Sequence, residues 1–166
     1  MRDLVREGGC GCGHVRYRVT GDPIFVNLCH CRQCQQQTGA SAAHNAFFET
    51  ERVELLSGSL TEHTTPTGSG GTQTICRCTR CGVAVWSFYP SLGRLLLALR
   101  AGTLDDPAAF PPDAVIFLVD ALPWGPRPEG IPHFERTYRA KDFLPPDRLA
   151  RLMGVAAKKK DLDTRG

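Results

Sequence analysis

Polar and apolar residues alternate over short spans in the first half of the chain. From His14 to Val19 the order His, Val, Arg, Tyr, Arg, Val has a period of two, which predicts a half-buried strand, and Gly21-Asp22-Pro23 then turns the chain. Phe47 with Phe48, and Val53 with Leu55 and Leu56, predict two more short strands; Thr72 to Cys78 predicts another, and Val83, Val85 and Trp86 lead one that ends at Pro90. The apolar runs Leu95 to Leu99 and Val115 to Val119, bounded by Gly93, Gly102 and Pro112, predict buried β segments. Helical signals are few. Residues 32–40 suit a short helix stopped at Gly39, and residues 144–158 suit a C-terminal one with Asp147 near its start. Residues 65–72, Thr-Pro-Thr-Gly-Ser-Gly-Gly-Thr, read as a loop. Short strands about every ten residues, divided by 17 Gly and 12 Pro, predict a mainly β, antiparallel domain with little helix and no internal repeat.

Composition narrows the function classes. A chain of 166 residues with 42% hydrophobic and 22% charged residues suits one globular domain. Its longest apolar runs fall far short of the roughly 20 residues a membrane helix needs. Residues 1–10 mix Asp3 and Glu7 with arginines and contain no apolar signal core, so the expected setting is the cytoplasm. Net charge is +3, with 20 basic residues spread from Arg2 to Arg165, so a nucleic-acid partner is not expected. The run Lys158 to Lys160, offset by Asp161 and Asp163, suggests a solvated, frayed end.

Cysteine changes the picture. All eight lie at or before Cys81, in three groups: Cys10-Gly-Cys12, Cys29-His-Cys31-Arg-Gln-Cys34 and Cys78-Thr-Arg-Cys81-Gly82, with Cys76 left over. In a reducing compartment such a set supplies metal ligands or redox groups. Close-set cysteines let thiolates converge on one cation, and Gly9, Gly11, Gly13 and Gly82 free the turns around them. Two two-cysteine groups complete one tetrahedral zinc site, so Cys10 and Cys12 are expected to join Cys78 and Cys81. Cys29, Cys31 and Cys34 hold a metal on one face only, which leaves an open position. Zinc among thiolates is a weak Lewis acid toward water and better suited to binding a substrate sulfur. Packed thiols, disulfides, a thioredoxin-type redox pair and an iron–sulfur cluster are the competing readings. His30 is expected outside the coordination sphere and Cys76 as a packed thiol, with a fourth-ligand role for Cys76 as the alternative. His14, His44, His63 and His133 have no partner at ligand spacing.

The order Gly-x-Cys-x-Cys-Gly-x-Val-x-Tyr (Gly8 to Tyr17), Cys-His-Cys-x-x-Cys with Thr38-Gly39 four residues on, then Cys-x-x-Cys-Gly (Cys78 to Gly82), resembles the glutathione-dependent formaldehyde-activating enzyme family, which includes centromere protein V. Residues 101–107 and Ile131 to Glu135 extend the likeness, which covers roughly residues 8–138. The resemblance implies a β-tent fold over residues 1–138, with 139–166 as the helix and tail of the same domain. It implies a structural zinc on Cys10, Cys12, Cys78 and Cys81, and a second, labile zinc on Cys29, Cys31 and Cys34. The activity it implies is formation of S-hydroxymethylglutathione from formaldehyde and glutathione, a carbon–sulfur lyase reaction in reverse. Arg77 and Val115 stand where that pattern usually has an aromatic residue and a histidine. A non-catalytic, zinc-stabilised module binding protein or nucleic acid is the alternative, and a redox or metal-buffering role a third.

Overall fold

The computed structural model describes residues 4–67 and 70–165. Ten strands form two sheets. In the smaller sheet, β2 (Arg16–Thr20) lies between β1 (Val5–Gly9) and β5 (Val53–Ser57), antiparallel to both. The larger sheet comprises β3 (Phe25–Cys29), β4 (Ala43–Glu49), β6 (Leu60–Pro66), β7 (Thr72–Cys78), β8 (Ala84–Tyr89), β9 (Gly93–Arg100) and β10 (Ala114–Ile116). Its order is β10-β3-β4-β9-β8-β7-β6. Three α-helices lie among the described residues: α1 (Arg32–Thr38), α2 (Ala140–Phe143) and α3 (Pro146–Arg165).

The period of two in β2 sets the main core. Val15, Tyr17 and Val19 are fully buried and join Ala46, Phe48, Val85, Leu97 and Leu99 from the larger sheet in one apolar cluster. The Tyr17 ring meets Trp86 edge-on at 6.0 Å, and its hydroxyl hydrogen-bonds Thr103 Oγ1 at 2.8 Å. This packing explains Gly8, because a Cβ there would lie 2.4 Å from the Tyr17 hydroxyl. A separate cluster seats α3: Val155, with Leu149 and Leu152, packs on Ile24 and Leu96. Arg151 Nε donates to Glu49 Oε1 at 2.7 Å and fixes that contact from its edge.

Several features depart from the sequence expectations. β1, β3 and β6 are strands that the pattern did not predict; β6 is an edge strand with mostly exposed side chains, so it carries no apolar alternation. Thr65 and Pro66, expected in the loop, close β6, while Gly68 and Ser69 of that loop lie outside the described residues. The run Val115 to Val119 is a strand only to Ile116, because Phe117 takes a left-handed conformation (φ 59°) and Leu118–Asp120 forms a single 3-10 turn. β10 also pairs with β3 in parallel, the one parallel pairing among the described strands. The expected frayed end is helical to Arg165, where Lys158 pairs with Glu51 at 3.1 Å and Lys159 pairs with Asp163. No helix among the described residues is long and apolar enough to cross a membrane.

Candidate metal centres

The first and third cysteine groups form matching turns. Cys10 N donates to Val15 O (3.1 Å) and Cys78 N to Val83 O (2.9 Å), while Gly13 N reaches Cys10 O (3.1 Å) and Gly82 N reaches Cys78 O (3.0 Å). Gly13 and Gly82 sit at φ 74° and 73°, where a side chain would strain the turn. Backbone amides point at sulfur: Val15 N lies 3.2 Å from Cys10 Sγ and Arg80 N 3.4 Å from Cys78 Sγ. The four sulfurs of Cys10, Cys12, Cys78 and Cys81 all lie within 4.8 Å of one another. Separations of 3.5 Å (Cys10–Cys12) and 3.9 Å (Cys12–Cys78) bracket the ~3.8 Å expected of thiolates around one tetrahedral zinc. Burial raises the Cys10 pKa, but hydrogen bonds from Val15 N and the Cys12 and Cys78 sulfurs outweigh it and bring it down to about 6. Such a donor set can hold a metal ion.

The middle group is local and buried. Cys29 ends β3, Cys31 caps α1 with its sulfur accepting from Cys34 N at 3.4 Å, and Cys34 sits in that helix's first turn. Gly39 ends α1 in the left-handed conformation, as its sequence predicted. The three sulfurs also lie within 4.8 Å of one another, and each residue is 4–5% exposed. Hydrogen bonds from Cys29 and Cys34 hold the Cys31 pKa low, and the same contact with Cys31 drives Cys29 up, so one proton set is shared across three sulfurs. This trio can hold a second metal on one face. All three sulfur residues line a cavity of about 360 Å³, together with Phe25, Phe47, Leu96 and Phe117. Phe117 is the one non-glycine at positive φ among the described residues, and it stands at that cavity wall.

Three neutral amides share the cavity, and the sequence reading missed them. Asn27 and Asn45 face each other in register on β3 and β4, and Asn45 is in turn opposite Arg100 on β9. Arg100 is 6% exposed and has no carboxylate partner among its hydrogen bonds: Nη1 donates to Asn45 Oδ1, and Nη2 to Gln37 Oε1 (2.8 Å) and Ser87 Oγ (3.3 Å). A guanidinium only donates, so Asn45 must turn its oxygen toward Arg100, which directs its NH2 group away from the arginine, and Asn45 also lines the cavity. Asn27 likewise gives its oxygen to the Tyr138 hydroxyl (2.9 Å) and keeps its NH2 free of that contact. Gln73 lines the same cavity at 2% exposure, and its Oε1 has no hydrogen-bond partner. The available signal was positional: Asn27 precedes Cys29 by two, the period that puts both on one strand face.

The remaining candidates fall outside both clusters. His30 is fully buried, burial lowers its pKa, and its Nε2 lies on Pro126 O at 3.0 Å, so it anchors the 125–126 segment. Cys76 is 2% exposed and joins neither cluster; burial, with the nearby Glu62 charge, pushes its thiol up to about 11. His44 and His133 bond backbone carbonyls, His14 bonds Ser59, and His63 joins neither cluster. Arg77, at the departure from the family pattern, braces the third turn by donating to Gly82 O at 3.0 Å.

The sequence model of the family described as glutathione-dependent formaldehyde-activating enzyme matches residues 5–120. A Halomonas elongata protein provisionally given that enzyme's name is 28% identical over 124 residues, which make up 72% of this chain and 78% of the relative. A crystal structure of a Rhodobacter sphaeroides protein aligns over 76% of this chain and 98% of that one, at 17% identity and a TM-score of 0.45, a likeness too loose to weigh. The family match spans most of the chain and encloses both cysteine clusters, so this protein belongs to the glutathione-dependent formaldehyde-activating enzyme family.

Proposed function

We propose that the protein is a zinc-dependent enzyme that adds a small thiol to an aldehyde, a carbon–sulfur lyase in the reverse sense. S-hydroxymethylglutathione formation is the model reaction of its family. In this reading Cys10, Cys12, Cys78 and Cys81 hold a structural zinc, and Cys29, Cys31 and Cys34 hold a second, labile one. The donor chemistry supports the metal: seven free thiols in two sets, with amide donors on the sulfurs and no disulfide to build, as in a reducing cytoplasm. Zinc on the three-cysteine face would supply the positive charge that keeps an incoming substrate sulfur ionised.

The chain's own residues account for the rest. The cavity seats the reactants beside the three sulfurs. The substrate sulfur attacks the aldehyde carbon, a C–S bond forms, and the carbonyl π pair moves to oxygen. The NH2 groups of Asn45 and Asn27 receive that oxygen as it gains charge, and a proton from solvent completes the hydroxyl. Arg100 acts through Asn45, since it fixes which way the amide faces.

The observation that carries this reading is a trio of buried cysteines lining a cavity that Asn27 and Asn45 also line. Metal content per chain, measured with and without a thiol substrate, tests it. Two zincs are expected, with the second perturbed by the thiol, and Cys31→Ser is expected to abolish thiol–aldehyde turnover. Two zincs with unchanged turnover in Cys31→Ser would sink the catalytic reading.

A further inference from the structure

We infer that the thiol this site takes has an apolar, uncharged body rather than the charged tripeptide of the family's model reaction; the inference rests on the thiol–aldehyde reading above. The cavity walls beside the cysteines are Phe25 stacked on Phe47 at 4.2 Å, with Leu92, Leu96, Ile116 and Phe117. Its polar lining is neutral: the amides Asn27, Asn45 and Gln73 with a few hydroxyls. Among the described residues no charged side chain lines it, and Gly68 and Ser69, which follow its lining residue Thr67, carry no charge either.

Four arginines on the surrounding strands and helices are already committed, and Arg136, beside the lining residue Thr137, is exposed and does not line the cavity. Arg151 is paired with Glu49 at 2.6 Å, Arg148 with Asp113 at 2.9 Å and Arg94 with Glu62 at 2.6 Å, while Arg100 is spent on Asn45, Gln37 and Ser87. Glutathione at neutral pH carries two carboxylates and an ammonium. A charge moved from water to this lining loses hydration and gains no ion-pair partner. An aromatic or aliphatic body instead removes apolar surface from water against the phenylalanines and leucines, and about 360 Å³ is the small end of ligand cavities. The orphan Gln73 Oε1 adds a buried acceptor beside the cavity, which a neutral donor such as the hydroxyl of the adduct satisfies without introducing charge.

The test uses the full chain loaded with cobalt(II), whose sulfur-to-metal absorption changes when an added thiol reaches the metal. Three probes are titrated: 2-phenylethanethiol, glutathione, and glutathione esterified at both carboxylates. The expected order is 2-phenylethanethiol tightest, at least about tenfold ahead of glutathione, with the diester between them. Ser91 is exposed at the cavity rim, so Ser91→Lys adds a cation without disturbing the core; it is expected to tighten glutathione several-fold and leave 2-phenylethanethiol unchanged. Glutathione binding as tightly as 2-phenylethanethiol, or the diester binding no better than glutathione, overturns this inference and leaves the thiol–aldehyde reading standing. No absorption change with any thiol overturns both.

Discussion

Removing one sulfur from the four-cysteine cluster separates architecture from function. Cys81 is exposed, so Cys81→Ala deletes a candidate metal ligand and almost no packing. The cluster closes a long loop, since Cys12 and Cys78 are 66 positions apart. Treated as a covalent clip, closing a loop of that length removes chain entropy worth about 4 kcal/mol at 25 °C. For a chain of this size that corresponds to a fall in Tm of about 8–16 °C. The assay is thermal unfolding followed by circular dichroism, with bound zinc measured in the same samples. Cys31→Ser is the control: serine at that helix cap accepts the Cys34 amide as the sulfur does, so its stability is expected to change by less than about 1 kcal/mol while turnover is lost. A Tm drop below about 2 °C in Cys81→Ala with zinc lost from that cluster would refute the entropic argument. A Cys31→Ser protein as unstable as Cys81→Ala would refute the division between the two sites.

Other outcomes follow from single contacts. Asn45→Asp keeps an acceptor for Arg100 but removes the NH2 donor, so Tm is expected to hold or rise while kcat falls about 10²-fold; unchanged kcat would remove Asn45 from the mechanism. Burial raises the Glu49 pKa, but the Arg151 fork outweighs it and holds the group below its ordinary value of 4.5. The folded state therefore binds fewer protons at this site than the unfolded one, and the stabilisation is full above pH 4.5 and lost as pH falls through the lowered value. Arg151→Ala is expected to cost about 2 kcal/mol at pH 7, a difference that shrinks toward pH 3 in urea titrations; a cost independent of pH would discard the ion pair as its source. Cys76 is expected to resist iodoacetamide in the native state at pH 7.5, and Cys76→Ala to leave zinc content unchanged, whereas loss of one zinc would make it a ligand.

The features legible in the sequence were those with local chemistry. Cysteine spacing encodes a turn, so both clusters followed from Cys10-x-Cys12 and its successors, and the period of two in Val15-Arg-Tyr17-Arg-Val19 encoded the inner face of β2. β6 stayed hidden because an exposed edge strand has no buried face to mark it. The end of β10 at Phe117 stayed hidden for another reason: the chain there hydrogen-bonds a segment distant in sequence, Phe117 N to Arg136 O and Leu118 N to Phe134 O, which no local pattern marks. Asn27, Asn45 and Arg100 come from three strands, and only register brings them into one row. An asparagine inside a strand is a weak signal alone; it becomes a donor with a fixed direction only once a guidinium-type donor such as Arg100 is known to stand behind it.

The two clusters differ in a way that suits different tasks. One joins residues 66 apart, so a metal held there would constrain the N-terminal turn against the β7–β8 turn, and its loss would release that constraint. The other lies within Cys29 to Cys34, and closing so short a segment removes little entropy from the unfolded chain. Its scaffold is held by other bonds: Cys31 caps α1, Gln35 Nε2 reaches the carbonyls of His30 and Asp120 at 2.8 Å each, and His30 N bonds Ile116 O at 3.0 Å. A metal bound there can therefore exchange ligands, or leave, without the fold following it. That independence is what a site needs if a substrate sulfur is to compete for its metal, and it is absent from the four-cysteine cluster, where every ligand also holds the chain together.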